Sequence, residues 1–289
     1  MSNASLEKLR AAMESASTPN SGEKKSYNDD TMWKPELDKT GNGFAVVRFL
    51  PTPEGEEMPW VSYFDHGFQG PGGWYIEKSL TTLNKKDPVS DYNSQLWNTG
   101  VEANKEIARK QKRRLHYVSN VYVVSDPKNP DNEGKVFKYR FGKKIFEMLK
   151  EAISPAFADE QAINPFDIRG EGANFKIKIR KVDGYWNYDK SEFEGVSQIK
   201  ESDEDIKTLW SSQHPLKPFL ASDNFKTYDE LKEKLNRTIT GVRSATTADK
   251  TDLPPQNGSV AKSNDVAPTT SASDEDDTLS YFSKLAEEE

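Results

Sequence analysis

Cysteine is absent from the 289 residues, which excludes disulfides, a thiol nucleophile and every thiolate metal site. Histidine is nearly absent: His66, His116 and His214 lie far apart, without an HExxH or HxxxH pair, so spacing predicts no zinc site. No run of 18 apolar residues occurs, so no membrane-spanning helix is expected, and the opening MSNASLEKLR lacks the apolar stretch of a secretory signal. There is no GxGxxG or GxxxxGKS/T phosphate cradle and no βαβ rhythm. Acid pairs such as Asp29/Asp30 and Glu56/Glu57 fall in linkers or turns, and no Ser–His–Asp set sits on a recognisable elbow. His66 in FDHGF reads more readily as a structural histidine than as a general base. With 30% charged residues and a mean hydropathy of −0.86, part of the chain is not expected to pack.

What is present is segregated charge laced with rings. Lys105 to Lys150 carries thirteen Lys/Arg against five Asp/Glu, whereas Asp274 to Glu289 carries seven acids and one lysine. The net charge of −7 does not argue against a polyanionic ligand, because distribution and not the sum decides binding. Binding a single strand without reading sequence needs cations that track phosphates and flat rings that accept unstacked bases, each stack contributing roughly 1–3 kcal/mol. Three segments supply both: Arg109 to Tyr117 (RKQKRRLHY), Lys138 to Lys144 (KYRFGKK) and Tyr185 to Tyr188 (YWNY). Tyr92 and Trp97, expected in the loop before the first of these, are further platforms. Each segment has a plainer reading as well: KRR as a solvated face, Tyr139 as a core residue. Three rings beside one turn in YWNY are harder to place inside.

Along the chain, residues 1–16 predict a short amphipathic helix with Leu6, Leu9 and Met13 on one face, followed by a polar linker. Strands are predicted over 44–50, 60–64, 74–77, 117–124, 135–141 and 174–182. A helix is expected at 143–153 and another at 228–235. In KVFKYRF the alternation sets Phe137, Tyr139 and Phe141 on one side and Lys138 and Arg140 on the other. The predicted architecture is mainly β with flanking helices, a small barrel rather than a Rossmann sheet. It divides into an arm (1–31), a core with a helical extension (32–240), and a Ser/Thr/Pro-rich linker with an acidic tail (241–289), expected to be disordered. In that tail Leu279, Phe282 and Leu285 are spaced as an apolar stripe that folds on a partner.

LDKTGNGFAVVRFLP (37–51), HGF with WYIE (66–68, 74–77), NPDNEGKVFKYRFGKKI (129–145) and EGANFKIKIRKVDGYWNYD (171–189) resemble the single-stranded DNA-binding proteins of T-even-type bacteriophages. The resemblance spans roughly residues 32 to 190 in the same order. It implies an OB-fold, five-stranded barrel core that binds single-stranded DNA cooperatively. It further implies an N-terminal arm that docks on the neighbouring subunit and an acidic tail that recruits replication and recombination proteins and competes with DNA. The family's groove residues carry over onto Arg48, Tyr92, Lys112, Arg113, Tyr117, Tyr139 and Tyr188, with Tyr185 matching another aromatic and Trp97 a tyrosine. The family's zinc is implied to be lost. His66 matches its histidine, but Ser79, Asp87 and Ser90 stand at the cysteine positions, so no cofactor is expected and the 78–100 loop should be held by packing alone. The family's basic Ser/Thr cluster in the arm is also missing, leaving Lys8 and Arg10 beside Leu6, Leu9 and Met13 for self-association.

The resulting expectation is a DNA-coating protein, not an enzyme, in the cytoplasm of an infected bacterial host. Phosphates would lie along Arg48, Lys112, Arg113, Arg114, Arg140, Lys143 and Lys144; bases would stack on Tyr92, Trp97, Tyr117, Tyr139, Tyr185, Trp186 and Tyr188. Replication and recombination partners would bind Asp274, Glu275, Asp276, Asp277, Leu279, Tyr281, Phe282 and Leu285. An RNA-binding translational regulator using the same groove, a magnesium-dependent nuclease and a protein-only scaffold stay open at this level.

Overall fold

Alternation in sequence becomes alternation in burial. In Ala173–Val182 the side chains of Ala173, Phe175, Ile177 and Ile179 are buried, while Lys176 and Lys178 are partly exposed between them. The computed structural model describes residues 29–157, 159–182 and 184–241. Among these, nine strands occur: β1 (Met32–Trp33), β2 (Gly43–Phe49), β3 (Trp60–Gly70), β4 (Gly73–Lys78), β5 (Arg114–Ser125), β6 (Val136–Phe141), β7 (Ala173–Val182), β8 (Tyr185–Asn187) and β9 (Glu192–Val196). The α-helices are α1 (Pro88–Asn98), α2 (Glu102–Lys110), α3 (Lys143–Ile153), α4 (Asp203–Ser211) and α5 (Tyr228–Thr240). None is long and apolar enough to cross a membrane.

The sheet is organised around β5. One edge of this strand pairs antiparallel with β3 over Arg114–Ser119 and then with β2 over Val121–Ser125; the other edge pairs with β6. β2 continues onto β7, which carries β8 and β9, and the short β1 adds parallel to β6. The mainly β expectation with flanking helices is met. The strand path β1-β6-β5-β2-β7-β8 does not return on itself, so pairing among the described residues does not close a five-stranded barrel.

The main core lies under β2, β5, β6 and β7, where Val47, Phe49, Val121, Phe141 and Phe175 meet Ile145 and Leu149 of α3. Those two are one helical turn apart and so face the same way. A second cluster joins Phe68 and Tyr75 of the β3–β4 hairpin to Leu80, Val89 of α1, and Leu231 and Leu235 of α5. α5 starts with a reciprocal capping box between Thr227 and Glu230 and ends at Gly241, whose φ of 70° suits glycine.

Three helical stretches depart from the sequence reading. The 78–100 segment, expected as loop, and the stretch that follows it to Lys110 depart first. They hold α1 and α2, because Asp87 caps the N–H groups of Val89 and Ser90 and Pro88 occupies the first helical position. Tyr92 and Trp97 are therefore helical. α4, capped by Ser202, fills part of the 190–240 region, where the sequence shows no single pattern. The arm residues Leu6, Lys8, Leu9, Arg10 and Met13, and every tail residue from Asp274 to Leu285, lie outside the described residues.

Candidate nucleic-acid interface

Strand register unites two of the three basic aromatic segments. In the β5–β6 pair Tyr117 stands opposite Phe141 and Val118 opposite Arg140. Because the strands are antiparallel, Lys112–Arg114 entering β5 and Gly142–Lys144 leaving β6 occur at the same end of the sheet. Lys143 then opens α3, and the half-buried Tyr117 ring lies flat on Phe146 of that helix, with centroids 3.9 Å apart.

Neighbouring groups hold the cations in place. Arg114 makes a forked pair with Asp65 on β3, Nε to Oδ1 at 2.8 Å and Nη2 to Oδ2 at 3.1 Å. Its guanidinium crosses Gly67, where a Cβ would fall 2.2 Å from Nη2, so only glycine leaves it room. His116 Nε2 is 3.0 Å from the same carboxylate. Burial would raise the Asp65 carboxyl, but His116 and Arg114 outweigh it and hold it down at about 2. Arg113 lies over the Phe64 ring at 4.2 Å. Arg140 is exposed and stands 3.5 Å from the Tyr63 hydroxyl, which burial pushes up from its ordinary value. Lys144 is exposed, and Lys143 lies 3.9 Å from Glu147 on the next turn.

The α1–α2 hairpin adds a ring to this surface. Trp97 is half-buried, with Lys105 Nζ and the Arg109 guanidinium each 5.4 Å from its ring. Arg109 is also paired with Glu102 at 2.7 Å and with Glu106. Tyr92 instead packs against the second core.

Five further expected contact residues are placed elsewhere. Arg48 is fully buried: Nε donates to Asn174 Oδ1, Nη1 to the Asp167 carbonyl and Nη2 to Ser197, at 2.8–3.1 Å. β2 is covered on both faces, so its lone cation points into protein and binds loop carbonyls. Tyr139 is 3% exposed, in the main core between Trp33 and Phe141. Tyr188 packs against the same core. The YWNY rings divide: Tyr188 turns inward, Tyr185 is half-buried, and Trp186 is 47% exposed, over Gly41 and 5.8 Å from Lys181 Nζ. β8, which carries Tyr185 and Trp186, ends the strand path on the far side of β7 from β5.

The sequence reading also missed Tyr63, Phe64, Asp65, Lys105 and Phe146, which complete the surface around Arg113, Arg114 and Tyr117. The alternation in WVSYFDHGF would have set Tyr63 and Asp65 on one face of β3.

The family model described as gp32 DNA binding protein like matches residues 41–239. The chain belongs to this family. The proteins named single-stranded DNA-binding protein of Enterobacteria phages T4 and T2 are each 40% identical over 239 residues, 78% of this chain and 77% of theirs. The protein of that name from Escherichia phage SV14 is 44% identical over 78 residues, 26% of this chain and 69% of its own. The matched span of the family model contains the whole surface around β5, from Tyr63 to Phe146, together with the α1–α2 hairpin and all but the last residue of α5.

Proposed function

We propose that this chain binds single-stranded DNA, largely without sequence preference, along the surface built from the α1–α2 hairpin, the start of β5 and the β6–α3 junction. The observation that carries the reading is the β5–β6 register, which brings Lys112, Arg113, Arg114, Arg140, Lys143 and Lys144 to the end of the sheet that holds Tyr117, with Arg114 and Arg140 on the face opposite its ring. Cations beside flat rings are what a phosphate-tracking, base-stacking groove requires. The names of the phage relatives support the same ligand. Trp97 and Tyr117 serve as base platforms, with Trp186 and Tyr185 as an outlying one. Arg48, Tyr92, Tyr139 and Tyr188 act by holding the scaffold.

The five long strands β2, β3, β5, β6 and β7 are taken as the counterpart of an OB-type barrel. The protein coats transient single strands cooperatively during replication, recombination and repair in the cytoplasm of the infected host, and makes or breaks no bond. Self-association runs through the arm, and partner enzymes are recruited by the acidic tail. Titrating poly(dT) into the protein, with intrinsic fluorescence followed at several salt concentrations, tests the reading. Saturable quenching that weakens steeply with salt is expected; no quenching at low salt, repeated without the tail, would overturn it.

A further inference from the structure

Beneath the β3–β4 hairpin lies a group of buried polar side chains that the interface does not use: His66, Ser79, Asp87, Ser90, Asn93 and Gln111. Asp87 is its centre. Oδ1 accepts from the N–H groups of Val89 and Ser90 and lies 3.2 Å from His66 Nε2; Oδ2 accepts from Ser79 Oγ and Leu80 N–H, both at 3.0 Å. Burial opposes this carboxylate's charge, but His66 and the backbone N–H groups more than offset it and keep its pKa below the ordinary value. On its other side His66 meets the Gln111 carbonyl, Nδ1 to O at 2.9 Å, and Asn93 Nδ2 donates to the same oxygen at 3.3 Å. The Gln111 N–H is bound as well, to the last carbonyls of α2.

His66, Ser79, Asp87 and Ser90 are the positions where the resemblance implied a zinc site. The residues present do not fit one. Structural zinc takes four nitrogen or thiolate ligands. Here there is one imidazole, two alcohols and a carboxylate whose oxygens already accept from four hydrogen-bond donors. Among the described residues no group of three or more His, Cys, Asp and Glu side chains could hold a metal ion. Nor is the segment held by packing alone, because a hydrogen-bonded carboxylate joins β3, the turn after β4, and α1.

We infer that Asp87, which contacts His66 and caps the helix carrying Asn93, is the hub of a metal-free clamp that fixes the Gln111 carbonyl and so positions Lys112, Arg113 and Arg114 for phosphate. The clamp ties down the chain one residue before this basic run, and Arg114 is set from the other side by Asp65 and Gly67. These are positioning residues and touch no ligand. The DNA part of the inference rests on the function proposed above; the metal-free clamp does not.

The test uses the full chain. Grown with zinc in the medium and purified, it should carry no stoichiometric metal, and a chelator should leave its melting temperature and poly(dT) affinity unchanged. Asn93→Ala should raise amide hydrogen exchange at Lys112–Arg114 at least about tenfold. It should also make the slope of log K against log salt shallower by about 0.7, as expected when a phosphate contact to a single strand is lost. A purely structural weakening would lower the melting temperature and leave that slope alone. The triple variant S79C/D87C/S90C, which keeps His66, should bind one zinc per chain and lose melting temperature on chelation. One zinc per wild-type chain would overturn the clamp, as would unchanged exchange at Lys112–Arg114 in Asn93→Ala. If wild type fails to bind poly(dT), the proposed function falls, while metal content and hydrogen exchange still decide the clamp.

Discussion

Tyr139→Ala separates a core tyrosine from a base platform. The ring is 3% exposed, with centroids 5.4 Å from Trp33 and 5.6 Å from Phe141. Truncating a buried aromatic costs about 3–5 kcal/mol, of which each lost aromatic pair accounts for about 0.5–1.5 kcal/mol. Trp33 stands opposite Tyr139 in the two-residue strand β1, so the cavity opens where that strand joins the sheet. For a unit of this size the loss should lower the melting temperature by on the order of 10 °C. The assay is urea unfolding followed by far-UV dichroism, paired with poly(dT) titration at a temperature where the variant is still folded. The urea midpoint should drop clearly, while affinity per folded molecule stays within about twofold. Tyr139→Phe, which keeps the ring, should cost less than about 1.5 kcal/mol. A variant with wild-type stability and sharply reduced affinity would refute the placement of Tyr139 in the core and restore it as a stacking residue.

Other perturbations separate scaffold from surface. Arg48→Met should destabilise by about 3 kcal/mol or more, because it strands several buried acceptors; a stable variant with weak DNA binding would contradict that. Arg140→Ala should leave stability within about 0.5 kcal/mol and make the salt slope shallower by about 0.7, and an unchanged slope would remove Arg140 from the phosphate track. Because the Asp65 carboxyl is held down at about 2, its contribution is fully present above its ordinary value of 3.8 and is lost as pH falls through about 2. Acid unfolding of Asp65→Asn should therefore be flatter than that of wild type between those values, by about 2 kcal/mol, and superimposable curves would refute the coupling. Deleting residues 274–289 should raise affinity for single strands at low salt; unchanged affinity would dismiss competition by the tail.

Where one strand face is buried and the other wet, sequence and structure agree. β7 alternates as written, and Ile145 and Leu149 fix α3. The basic aromatic segments at 109–117 and 138–144 were legible because charge needs no tertiary context to be seen. Their union was not, since it depends on Tyr117 pairing with Phe141, a register set by long-range contacts. The helices after β4 were missed for want of apolar periodicity: what starts α1 is an Asp–Pro cap, and what holds it is the polar clamp. Arg48 misled because a lone cation in an apolar strand reads as a contact residue. Its partners, Asn174, Asp167 and Ser197, lie more than a hundred residues away.

The interface also shows why counting cations overstates attraction. Six Lys/Arg side chains gather at this end of the sheet, which at about −0.7 per phosphate would set a limiting salt slope near −4 for a single strand. Arg114 is already balanced by Asp65, and Lys143 stands near Glu147. A phosphate meeting either displaces or shares an internal carboxylate and releases less of its own counterion. The effective number is then about four, and the slope about −3. What the carboxylates give in return is geometry: the forked Asp65 pair and the bare Gly67 surface hold the Arg114 guanidinium in one orientation before any ligand arrives. Less of its rotamer freedom remains to be lost on binding. Arg113 on Phe64 and Arg109 on Trp97 follow the same pattern, with a ring in place of the acid or beside it. The surface trades some long-range pull for preorganised cations next to flat rings, which suits a protein that must grip any sequence and still release it.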